Sequence, residues 1–233
     1  MSAYYAWHSP IYDATRWTFL HGRDAIVEDL NPKPGDVVLE IGCGTGRNLT
    51  NIRKRVGAEG IVLGVDCARA MIAVAKRRIG NNGWNNVSVL EREYGAAPGA
   101  PGQVDAILLS YSLSMIPSWP RIIHCACEEL RPGGRIGVVD FCLDTRNALT
   151  LGFSRWLELN HVAVDRPYRE QLSSVLSPLR CVTQQAFGGL WSFYRFLGER
   201  TGPLGPRRAS LETPEFRITS HAVWSVRNSS GFR

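Results

Sequence analysis

No run of apolar residues in this 233-residue chain approaches the ~20 that a membrane-spanning helix requires, which excludes such a span. The opening MSAYYAWHSPIYDATR has no basic stretch followed by an apolar one, so no secretory signal is expected and the cytoplasm is the predicted compartment. No internal repeat or long low-complexity run is present. Among the six cysteines, Cys43, Cys67, Cys125, Cys127, Cys142 and Cys181, there is no C-x-x-C pair and no zinc-ligand spacing. They are expected to be buried free thiols, with no metal.

With 44% hydrophobic and 21% charged residues, the chain has the composition of a globular domain. The net charge of +6 and pI near 9.2 favour anionic partners, whether acidic small molecules, nucleic acid or an acidic membrane surface. Short apolar runs at 37–41, 61–65, 87–91, 104–109 and 135–141 are bounded by turn residues, as buried parallel strands are. Helical stretches at 47–56, 68–79 and 119–130 lie between them. This alternation predicts right-handed crossovers and a doubly wound, mainly parallel α/β sheet. Helices are then expected at 148–164 and 168–177, followed by runs 180–187 and 190–197 joined by Gly188-Gly189 as a tight antiparallel hairpin. The hairpin completes a seven-stranded sheet. The predicted organisation is a helical lid over 1–30, a cofactor-binding domain over 31–198 and a basic tail over 199–233.

The densest motif is Glu40-Ile41-Gly42-Cys43-Gly44-Thr45-Gly46, directly after the first strand. Glycines there let the backbone approach a ligand, and the helix that follows favours a carboxylate at its start. A dinucleotide fingerprint would need glycine at position 47, where Arg47 stands. Asp66 closes the second strand, where an acid accepts hydrogen bonds from ribose hydroxyls. Glu40 among Val, Leu and Ile is costly unless paired, so a cationic partner is expected.

E-I-G-C-G-T-G followed by G-V-D resembles motifs I and II of the class I methyltransferases, over about residues 36–145. The resemblance implies S-adenosylmethionine as cofactor, with S-adenosylhomocysteine as its product. Gly42, Cys43, Gly44 and Gly46 would pass under its methionyl part, Glu40 would meet its ammonium, and Asp66 would hold the ribose. Cys67 and Met71 would flank the adenine, and Asn48 and Ser110 would complete the set. Glu93-Tyr94 stands where the family has an acid and a small residue, with Glu91 as the alternative acid.

Methyl transfer from a sulfonium is an in-line displacement that needs alignment and an unprotonated acceptor. At the carboxyl ends of the strands, Tyr111 is a candidate to accept the proton or orient the acceptor. Asp140 is either an attractor of a cationic acceptor or a helix cap. A narrower resemblance, over about 11–198, is to the betaine-lipid N-methyltransferases, which methylate the amine of diacylglyceryl-homoserine. It rests on Ile11–Arg16, Gly22-Arg23-Asp24, S-Y-S-L-S-M-I-P-S-W from Ser110, Val138–Phe141 and His161-Val162. It implies that Tyr12 and Arg23 close over the cofactor, that Arg16 serves the acceptor's carboxylate and that His161 is a base or headgroup contact. The Tyr-Asp lid is shared more loosely with the ubiquinone and menaquinone C-methyltransferases, so these and a soluble amino-acid-like or natural-product acceptor stay open. The N-P-P-Y motif of amino-directed nucleic-acid methyltransferases is absent, and no nucleic-acid partner is expected. Aromatics at Tyr4, Tyr5, Trp7, Trp17 and Phe19, with the arginines of the tail, suit peripheral docking on the inner face of an anionic membrane.

Overall fold

The computed structural model describes residues 20–96, 102–142, 148–159 and 162–202. Five strands run parallel: β1 (Val37–Ile41), β2 (Ile61–Asp66), β3 (Val87–Glu91), β4 (Val104–Ser110) and β5 (Leu130–Cys142). Two more, β6 (Ser177–Ala186) and β7 (Trp191–Glu199), pair antiparallel, and β7 also pairs antiparallel with β5. The order β3-β2-β1-β4-β5-β7-β6 gives the seven-stranded, doubly wound sheet that the sequence predicts, closed by the antiparallel pair.

Burial on both faces follows from the continuous apolar character of the central strands. Alternate residues of β1 divide between two cores. Val38 packs with Ile26, Leu49, Ile52 and Ile72, whereas Leu39 and Ile41 pack with Ile107, Leu109, Ile122 and Ile123. The helix α1 (Arg23–Leu30) buries Ile26, Val27 and Leu30, α2 (Arg47–Val56) buries Leu49, Ile52 and Val56, and α3 (Arg69–Asn81) buries Met71, Ile72 and Ala75. In α2 the apolar face is spaced by three and four residues, while Arg53, Lys54 and Arg55 occupy the last turn, where cations complement the helix dipole. The opposite face carries α4 (Trp119–Glu129) and α6 (Tyr168–Val175), and α5 (Ala148–Leu159) packs Leu157 into the α1–α3 side.

Several boundaries differ from expectation. Part of the segment predicted as a lid is built into the sheet, because Ile26 of α1 lies flat on Gly137 of β5, 3.2 Å from where a Cβ would stand. The helix predicted to reach 164 ends at Leu159, and β6 starts at Ser177 instead of 180. The hairpin turns through a short 3-10 segment, Phe187–Gly189, with φ of 48° at Phe187, 65° at Gly188 and 95° at Gly189. A two-residue turn cannot accommodate three left-handed residues in succession. At the start of the predicted tail, β7 runs to Glu199, and the Arg200 guanidinium donates to the carbonyls of Cys127, Glu128 and Leu130 at the end of α4. All six cysteines are free, but Cys67 and Cys181 are exposed rather than buried. No helix among the described residues is long and apolar enough to cross a membrane, and no metal-binding cluster occurs among them.

Candidate cofactor and acceptor site

The chain leaves β1 through a bend in which Gly42, Gly44 and Gly46 all have left-handed φ, at 73°, 54° and 74°. Only glycine adopts that conformation repeatedly without strain. The three have different neighbours. A Cβ on Gly42 would lie 2.5 Å from that of Ser112, and one on Gly46 would lie 3.1 Å from those of Ala75 and Leu49 Cδ1. A Cβ on Gly44 would meet nothing within 4 Å, so this glycine opens onto free space. The bend is hung on β2, since Gly42 and Cys43 both donate to the Val65 carbonyl.

Asp66 braces it from the side. One carboxylate oxygen accepts the Gly44 N–H at 2.8 Å and the other the Ala68 N–H at 2.8 Å. Burial nonetheless holds its carboxyl above the usual range, against the lowering effect of these backbone donors. The Cys67 N–H acts on it as well, and a carboxylate's two oxygens together offer about four acceptor positions, so capacity remains for a ligand hydroxyl.

Glu40 lies beneath the bend, wholly buried. Its Oε1 accepts from Asn48 Nδ2 at 2.6 Å, and its Oε2 has no hydrogen-bond partner among the described residues. Desolvation pushes its carboxyl up to about 8, while Asn48 and the charge of Arg23 pull it down. The expected cationic partner is thus replaced, for the hydrogen bond itself, by a neutral amide, and Arg23 acts through its field. A buried acceptor atom left open beneath a glycine bend fits the ammonium of a methionyl group. The buried hydroxyls of Ser110 and Ser112 beside the bend also lack hydrogen-bond partners among the described residues. Ser112 escaped the sequence reading; its signal is its place two residues past the strand end, against Gly42.

The other expected cofactor residues fall in two groups. Met71 is buried in the first turn of α3, and Cys67 is exposed at the end of β2. Glu93 and Glu91 are exposed at the end of β3. Tyr94 is not with them. It lies in the core beneath α4 with Ile122 and Cys125, and burial together with Glu129 pushes its phenol up.

Both described candidates for catalysis are committed elsewhere. Tyr111, left-handed at φ 55°, donates its hydroxyl to the His21 carbonyl at 2.6 Å, and its ring stands 4.7 Å from that of Phe141. Burial pushes this phenol well above its ordinary range, and its proton is already donated in a hydrogen bond to a carbonyl, so the expected proton acceptor is engaged with the backbone. Arg23 lies alongside, its guanidinium carbon 5.9 Å from the ring centre. Asp140 points to the opposite face of the sheet from Phe141. It accepts from the Ser114 N–H at 3.0 Å and the Phe141 N–H at 2.8 Å, holding the 3-10 turn Leu113–Met115. Burial pushes its carboxyl up to about 6. The cap expected of it is on the helix that follows; its described partners are instead its own neighbour and the turn after β4. Tyr12, Arg16 and His161 lie outside the described residues.

Sequence reasoning also missed a set of rings. The His21 imidazole lies 5.3 Å from the ring of Phe187, 5.9 Å from Trp191 and 6.2 Å from Phe193. Phe153 continues the set, 5.1 Å from Trp191 and 5.5 Å from Trp156. Three distant segments supply these rings, so no local spacing announces them. The set adjoins the glycine bend through the contacts of Gly42 with Ser112 and of Tyr111 with His21.

Residues 38–134 match the family described as "Methyltransferase domain". Nocamycin O-methyltransferase of Saccharothrix syringae is 36% identical over 130 residues, 55% of this chain and 46% of that protein. The 2-phytyl-1,4-naphtoquinone methyltransferase of Thermosynechococcus vestitus is 29% identical over 153 residues, 64% of this chain and 67% of that one. A SAM dependent methyltransferase from Aquifex aeolicus superposes with a TM-score of 0.60 at 18% identity, over 82% of this chain and 96% of that one, which shows the shared fold. The chain spans about half the length of the curated relatives it matches. The glycine bend, Glu40 and the acid closing β2 all lie within the stretch that matches this methyltransferase family, and a geranyl diphosphate methyltransferase of the same fold, at a TM-score of 0.64 and 19% identity, was solved with SAM bound.

Proposed function

We propose that this protein moves methyl groups from S-adenosylmethionine to the amine of a lipid-linked acceptor, the homoserine headgroup of diacylglyceryl-homoserine. The observation that carries this reading is the ring set beside the cradle, which runs without a break into exposed apolar surface. Phe187 is 57% exposed and Trp156 53%, and on the same helix as Trp156, Leu151 is 48% and Leu159 74% exposed. Large apolar side chains left in water together mark a surface for an apolar ligand or a membrane. Aromatic faces also attract an amine that gains positive charge as it is methylated.

Bound S-adenosylmethionine supplies an electrophilic methyl group on a sulfonium. The chain then has three tasks. Glu40 Oε2 takes the ammonium, Asp66 takes the ribose hydroxyls, and Gly44 leaves room for the ligand to lie on the peptide groups. The rings of Phe187, Trp191 and Phe193 hold the acceptor against the reacting carbon and keep water away from it. Arg23, Tyr12 and Arg16 are assigned to the cofactor and headgroup carboxylates, and peripheral attachment to an anionic membrane surface follows from the same apolar patch and the basic tail.

The test is turnover of diacylglyceryl-homoserine in mixed micelles by the full chain with methyl-labelled cofactor. Successive methyl gains on the headgroup are expected. No gain, with labelling of a naphthoquinol or a polyketide ring instead, would replace the lipid reading. That second reading is favoured by the relatives named for nocamycin and for a phytyl naphthoquinone, since a flat ring also stacks on aromatic faces.

A further inference from the structure

Methylation of an N–H or O–H group releases one proton, and neither of the two described candidates is placed to take it. The Tyr111 hydroxyl is spent on a carbonyl, and the two Asp140 oxygens are spent on the Ser114 and Phe141 N–H groups. We infer that His21 is the proton-accepting residue of the methyl transfer. The inference rests on methyl transfer by this domain and not on which acceptor it serves.

Three observations place its imidazole. Its own backbone is fixed at the reacting end of the sheet by the 2.6 Å hydrogen bond from Tyr111, next to Ser112 and the glycine bend. Gly22, left-handed at φ 79°, packs so tightly that an added Cβ would lie 2.7 Å from the Phe193 ring, so the segment has no slack. Finally, the imidazole projects among Phe187, Trp191 and Phe193, a wall that otherwise holds no titratable side chain. Neither ring nitrogen makes a hydrogen bond or ion pair with a described residue. Among the described residues, the charged and titratable groups around this corner include Arg23 and Asp24 on α1, Tyr111 after β4 with Asp140 and Cys142 acting on it, and Arg195 on β7.

In the step itself, the lone pair of the acceptor atom forms the new bond to the methyl carbon. The carbon–sulfur bonding pair stays on sulfur, which becomes a neutral thioether. The acceptor's proton passes to the free imidazole nitrogen and from there to water. An amine that arrives protonated loses the same proton one step earlier, by the same route.

Two measurements decide the matter. The first needs no acceptor. The His21 ring of the full chain is titrated by NMR with S-adenosylhomocysteine bound and again with S-adenosylmethionine bound, and His21→Asn assigns the resonance. A ring facing the reacting centre feels the sulfonium charge, and its titration moves to lower pH by about half a unit or more. Identical curves in the two complexes would overturn the inference. The second uses diacylglyceryl-homoserine micelles as the probe. His21→Phe keeps a ring in the wall but removes the base, so kcat falls about a hundredfold, cofactor Kd stays within about twofold, and added imidazole restores part of the rate. A His21→Phe enzyme of normal kcat would also refute it. If the wild type ignores this lipid, the acceptor assignment fails while the titration still decides His21.

Discussion

The Tyr111 hydroxyl donates to the His21 carbonyl across 90 positions of sequence, at 2.6 Å. This bond joins the turn after β4 to the segment that enters α1, and so connects the side of the site next to the glycine bend with the aromatic side. Replacing Tyr111 by Phe leaves the ring on Phe141 but strands the carbonyl. Stability is expected to fall by about 1–2 kcal/mol, with cofactor Kd little changed and turnover lowered. Denaturant unfolding and calorimetry check the two halves separately. A variant with wild-type kcat would show that the bond serves the fold alone.

Glu40 gives a signed pH dependence. Its carboxyl is raised to about 8 in the folded protein, above its value in an unfolded chain. The folded state therefore binds the extra proton between the two values, and cofactor-free stability declines as pH rises through that window. Glu40→Gln removes this slope, so the variant gains on the wild type by about 1 kcal/mol or more at pH 8. An arriving ammonium favours the carboxylate, so cofactor affinity of the wild type climbs from pH 6 towards 8 and that of Glu40→Gln does not. Thermal melts and isothermal titration across that range give both curves.

Gly42 and Gly44 separate folding from binding. Gly42→Ala pushes a methyl into Ser112 and is expected to give little folded protein. Gly44→Ala meets no atom of the described residues, so the chain folds at a cost of about 1–2 kcal/mol for the left-handed backbone. Its new methyl occupies the space intended for the ligand, and cofactor affinity drops at least tenfold. Retained affinity in a folded Gly44→Ala would move the cofactor away from the bend.

Asp66→Ala removes both the brace on Gly44 and an acceptor for ribose hydroxyls. Cofactor binding is expected to weaken by about 1–3 kcal/mol, read as a rise in Kd by calorimetry. An unchanged Kd would leave Asp66 a purely structural brace.

The half of the site around the bend was legible because its signals are local. Gly42, Gly44 and Gly46 announce a backbone that side chains cannot adopt, and Asp66 closes a strand whose apolar run is unmistakable. The misread residues are those whose role is settled by a partner far along the chain. Tyr111 and Asp140 both stand at strand ends, where reactive groups are usual, but a carbonyl 90 positions away and an amide 26 away claim their polar atoms. Tyr94 follows β3 as the resemblance requires, yet the apolar face of α4 draws it inward. The ring wall was invisible because His21, Phe153 and Trp191 meet only once the sheet has formed. The helix α1 was assigned to a lid because its aromatic surroundings masked the Ile26, Val27 and Leu30 stripe that fixes it to the sheet.

The last strand among the described residues, β7, is inserted between β5 and β6 instead of being added at the rim. During synthesis the cradle residues leave the ribosome early and can gather around their bend. The wall formed by Trp191 and Phe193 arrives only when almost the whole described chain has been made. On the proposed reading, a nascent chain has its cradle residues well before its ring wall, so a ligand of the bend can act early on a half-built fold.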